Sequence, residues 1–101
     1  MRVLHLISSS GLYGAEKMVV GLCQALPRYG VDPTLEVFDN AHSRNVEVAD
    51  YARASAVPVR LLSCAGRLDP AAVRRLRRDI RDLGIDLVHT HGYKANLYGF
   101  F

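Results

Sequence analysis

The chain is poor in the residue that staples small domains. It has 2 cysteines, Cys23 and Cys64, in 101 residues. They lack the paired spacing of a zinc site, and Cys23 falls inside a helical pattern. Both are therefore read as reduced thiols of a cytoplasmic protein. No apolar run approaches the roughly 18 residues that a membrane span needs. The opening MRVLHLISSSGLYG has one arginine before a short apolar stretch but no A-x-A-like cleavage site, which makes it a strand rather than a signal peptide. Repeats, low-complexity tracts and linkers are missing. So is any strong charge bias: 13 Lys+Arg stand against 10 Asp+Glu, a net of +3. Residues 67–82 hold six basic and three acidic side chains, so this one segment carries the whole excess. No aromatic residue interleaves with its arginines, which is the pattern of a solvated helix face and not of a nucleic-acid surface.

What is present is ordinary globular material, 50% apolar and 23% charged, in a chain too short for two domains. Residues 2–8 hold VLHLI, a near-continuous apolar run of the kind found in strands buried on both faces. A turn cluster follows, then Ala15, Met18, Val19, Leu22 and Leu26 recur at helical spacing until Pro27 and Gly30. Residues 33–39 alternate as a second strand, 45–56 form a weakly patterned helix, and 57–62 form a third strand with Pro58 near its start. Asp69 is placed to cap the next helix, Pro70 fits its first position and Gly84 the position just past its end. Val73, Leu76, Ile80 and Leu83 make its apolar stripe, leaving five arginines outward. A fourth strand runs from Gly84 toward His91, and a further helix opens at Tyr93. The order β-α-β-α-β-α-β predicts a Rossmann-like, three-layer α/β/α domain with a parallel sheet and right-handed crossovers. Residues 98–101 (Tyr-Gly-Phe-Phe) read as the middle of that last helix, so the sequence is expected to be a fragment of a larger sheet.

Two segments carry chemistry. The turn Gly11-Leu12-Tyr13-Gly14-Ala15-Glu16 puts glycines before a helix N-terminus, where free amides and the helix dipole suit an anion. Its G-x-x-G spacing is neither the dinucleotide G-x-G-x-x-G nor a P-loop with its lysine, and a tight turn needing glycine explains it equally well. The second segment is His89-Thr90-His91-Gly92-Tyr93-Lys94, at the same end of the sheet. Histidines at i and i+2 on a strand share a face. No third ligand is evident beside them, so no metal is expected. His89 reads as an imidazole that hydrogen-bonds within the sheet, and His5 as a satisfied core histidine. His42, in a polar loop, has no role. Asp39 reads as a strand-end turn residue, the ribose-binding alternative being subordinate without a third glycine. Glu16 reads equally as an ordinary first-turn acid.

Together, VLHLISSSGLYGAEKMVVGLCQAL and IDLVHTHGYKANLYG resemble the N-terminal domain of glycosyltransferase family 4, whose members face two Rossmann-like domains across a cleft in the GT-B fold. The resemblance spans essentially the whole chain. It implies an acceptor-side half-domain of a retaining enzyme that moves a hexose from a nucleotide sugar to a glycan, lipid or small-molecule acceptor in carbohydrate or cell-envelope glycan biosynthesis. By the same resemblance, Gly11 and Gly14 with the Ala15 and Glu16 amides face the donor diphosphate, and His91 contacts the transferred sugar as the catalytic residue. Tyr13, Tyr93, Lys94 and Asn96 are the acceptor contacts. No cofactor and no essential metal are implied, only the nucleotide sugar as substrate. The location implied is cytoplasmic, with peripheral contact to the inner face of the membrane in the full-length enzyme. The family's C-terminal domain, which holds the nucleotide, is not among these residues, and the 101 residues alone are expected to be inactive. Two other readings compete: a nucleotide-binding Rossmann-like module, and a non-catalytic truncated interaction protein that self-associates through an open sheet edge.

Overall fold

A strand that is apolar at nearly every position needs cover on both faces, and the chain supplies it with helices on either side. The computed structural model describes residues 1–8, 14–40, 47–64 and 69–91. Strand β1 (Arg2–Ile7) is followed by α1 (Gly14–Ala25), a 3-10 turn (Leu26–Tyr29) and β2 (Asp32–Asn40). Then come α2 (Glu47–Ala54), β3 (Val59–Cys64), α3 (Pro70–Asp82) and β4 (Leu87–His91). The helix expected from Tyr93 onward lies outside the described residues. All strand pairs are parallel and the order is β3-β2-β1-β4. The three-layer α/β/α expectation is met.

Alternation along β1 and β2 sorts the core into two. Ile7, Leu35 and Val37 pack with Val19, Val20 and Cys23 of α1 and with Val48, Ala49 and Ala52 of α2. On the opposite face Leu4, Leu6, Phe38 and Leu62 pack with Ala72 and Leu76 of α3. The chain steps from β1 to β2 to β3 in one direction, so α1 and α2 share a face. It then returns past β1 to β4, so α3 lies on the other, as right-handed crossovers require. The reversal of direction falls between β1 and β4. In open α/β sheets the crevice at that switch point, beyond the carboxyl ends of the strands, is where ligands bind.

The helix signals are realised, with corrections. Asp69 Oδ1 accepts the Ala71 amide at 3.0 Å and Pro70 opens α3. Gly84 takes φ +64° just beyond its end. All five arginines of α3 are exposed, and Asp79 among them is buried. In α1 the expected stripe is rotated: Met18 and Leu22 are exposed, and the buried set is Glu16, Val19, Val20 and Cys23. Both sets obey the 3.6-residue period, so spacing alone does not choose between them. The third strand starts at Val59 and not at residue 57, because the Val57 amide is spent on the Ala52 carbonyl at 2.9 Å, closing α2. Neither cysteine is in a disulfide, both are buried, and burial pushes the Cys23 thiol up to about 11.

Candidate functional site: a histidine cluster at the switch point

The β1–β4 register sets His5 against His89 and Ile7 against His91. Paired residues of neighbouring strands share a face, and residues two apart on one strand share it too. Three imidazoles therefore meet on the side of the sheet that α1 and α2 cover elsewhere. The His89 and His91 rings are 4.1 Å apart centre to centre, and His5 lies 5.3 Å from the first and 5.4 Å from the second. His5 Nδ1 and His91 Nε2 stand 3.1 Å apart and share one hydrogen. His5 is 1% exposed, His91 half-buried and His89 open to solvent, so the cluster grades from core to surface.

The electrostatics follow from that gradient. Burial first, then the neighbouring His91 and His89, hold the His5 imidazole down to about 4. Burial, with His89 beside it, also lowers His91. His5 and His91 are thus neutral near pH 7, each offering a lone pair and one N–H. The arrangement corrects two expectations. The imidazole that bonds within the sheet is His91, not His89. His5 is only half satisfied, since its buried Nε2 has no partner among the described residues. It also supplies the third imidazole that the i, i+2 pair lacked. Nothing local in the sequence signals this; only the pairing of the first strand with the fourth brings His5 there.

Of the remaining candidates, Gly14 is the first residue of α1, and Ala15 and Glu16 stand in its first turn, where backbone amides have no helical acceptor. Glu16 is buried. Gly11, Tyr13, Tyr93, Lys94 and Asn96 lie outside the described residues. Asp39 is half-buried near the end of β2, opposite Ser63. A four-stranded parallel sheet with helices on both faces defines the class of Rossmann-like α/β domains. Residues 13–101 match glycosyltransferase family 4, so the chain belongs to that family. The comparisons with curated proteins and with solved structures return no match. Membership implies sugar transfer, with a sugar donor and an acceptor as substrates.

Proposed function

We propose that the chain is the acceptor-side half of a retaining glycosyltransferase that moves a hexose from a nucleotide sugar to a glycan, lipid or small-molecule acceptor. The observation that carries the reading is His91, a neutral, half-buried imidazole opposite the last residue of β1 at the switch point. A neutral imidazole there donates or accepts a hydrogen bond with a sugar hydroxyl and shields the positive charge that develops at the sugar carbon. His5, bonded to it, fixes the ring. The amides of Gly14, Ala15 and Glu16 at the start of α1, with Gly11 of the same glycine segment, suit the donor diphosphate. Tyr13, Tyr93, Lys94 and Asn96 are assigned to the acceptor. The nucleotide itself is held by a second domain across the cleft, and the chemistry needs no metal.

The test joins the chain to a donor domain of the family and measures transfer. His91→Ala is expected to lower kcat/KM by about 100-fold, the scale for losing one positioned polar group at the reaction centre. The anomeric configuration of the product, read by NMR, is expected to match that of the donor. The 101 residues alone are expected to transfer nothing. Full activity in His91→Ala, inversion at the sugar carbon, or normal turnover by the isolated chain defeats the reading.

A further inference from the structure

From the cluster geometry we infer that His5, His89 and His91 form a three-imidazole site for one divalent transition-metal ion of the zinc class. Each ring offers one nitrogen, and the three nitrogens all lie within 4.8 Å of one another. An ion bound tetrahedrally at about 2.0–2.1 Å spaces its ligand atoms about 3.3 Å apart. His5 Nδ1 and His91 Nε2, at 3.1 Å, already stand near that spacing. His89, the ring exposed to solvent, is the freest of the three to adjust, and it already lies 4.1 Å from His91 and 5.3 Å from His5 centre to centre. β1 is paired on both sides, with β2 and β4, and β4 is paired with β1, so His5 and His91 stand on strands and not on a loop.

The chemistry of the donor set selects the ion. Imidazole suits Zn²⁺, Co²⁺, Ni²⁺ and Cu²⁺, and the absence of any carboxylate from the set disfavours Mg²⁺ and Ca²⁺. Among the described residues the three imidazoles share one hydrogen bond, and a single cation takes a lone pair from each at once. With three protein ligands among the described residues, a tetrahedral ion has a fourth position for solvent. The site does not depend on the sugar-transfer reading. Where that reading also holds, the ion takes His91 Nε2 away from His5 and so releases the ring that His5 holds for the sugar, and Zn²⁺ acts as an inhibitor.

The chelator-treated 101-residue chain is titrated with Co²⁺, followed by its visible spectrum, and then with Zn²⁺. The expected result is one ion per chain, with the intense d–d bands of a tetrahedral nitrogen site that Zn²⁺ abolishes. His89→Ala, an exposed substitution whose fold is checked by circular dichroism, is expected to weaken binding by at least about tenfold. In unaltered protein, proton NMR of the four histidines gives a readout that needs no variant. On adding Zn²⁺ the ring signals of His5, His89 and His91 are expected to shift together. The inference is overturned by no stoichiometric binding, by unchanged affinity in His89→Ala, or by a shift confined to one ring. Thiolate charge-transfer bands also overturn it, since they would put the ion on Cys23 or Cys64.

Discussion

Glu36 is the residue least legible in the sequence. Alternation along β2 makes it a solvent-facing position between Leu35 and Val37, yet it is fully buried because α3 covers that face. Neither carboxyl oxygen has a hydrogen-bond partner among the described residues, and Arg60 Nε stays 4.0 Å away while its Nη2 bonds Asp79 at 3.2 Å. Burial, then the adjacent Asp79, push the Glu36 carboxyl up to about 8, against the opposing pull of Arg60 and Arg75. A carboxyl raised in the folded state binds its proton more tightly there than in the unfolded chain. Its contribution is therefore fully present below about pH 4.5 and is lost as pH climbs through about 8. Glu36→Gln, which keeps the shape and removes the ionisation, is expected to raise the melting temperature by roughly 5 °C or more at pH 8.5 and to change it little at pH 4.5. Thermal melts across that range, followed by circular dichroism, decide it. The histidines divide in the same way. The shared face of His89 and His91 is written in their i, i+2 spacing, whereas the role of His5 depends on a neighbour more than eighty residues away.

At the scale of elements, local signals worked where a cap or a breaker spoke. Asp69, Pro70 and Gly84 bound α3 as their chemistry dictates. They failed where such a residue was missing. Nothing in residues 54–57 marks the end of α2, and a reading by pattern runs the helix on to Ala56. In the structure Ala56 holds φ +60° while its amide bonds the Arg53 carbonyl and the Val57 amide bonds that of Ala52. This is a Schellman closure with alanine in the left-handed position that glycine ordinarily fills. Ala56→Gly removes the clash of Cβ with the following carbonyl and is expected to stabilise the fold by about 0.5–1 kcal/mol. Chemical denaturation with an unchanged m-value measures it, and a loss of stability refutes it. The rotated face of α1 has a different cause. Two apolar stripes compete on that helix, and the one that packs is chosen by the sheet beneath it, which no local pattern encodes.

For the whole molecule, the order of elements made the parallel α/β fold legible, but not the strand order or the identity of the edges. Among the described residues β3 and β4 are the outer strands, and Leu87 on β4 is 52% exposed. An outer strand with exposed apolar side chains is a template for pairing with another chain unless a charge blocks it. The 101 residues in isolation are accordingly expected to associate as concentration rises, and Leu87→Lys to shift them toward monomer. Sedimentation velocity at several concentrations tests this, and a strictly monomeric parent chain would contradict it. β1 sits between β2 and β4, and Arg2 ties it to the far end of the chain. Its amide donates to Asp86 Oδ2 and its guanidinium to the Leu83 carbonyl, both at 2.8 Å. That placement has a consequence for biosynthesis. The central strand is translated before both of its neighbours, and β4 follows it late, 84 residues separating Arg2 from Asp86. At ribosomal rates of about 5–20 residues per second, the VLHLI segment waits roughly 4–17 s with one side unpaired. Nascent chains are most vulnerable to misassembly in that interval, and it closes only when the HTH segment emerges from the ribosome.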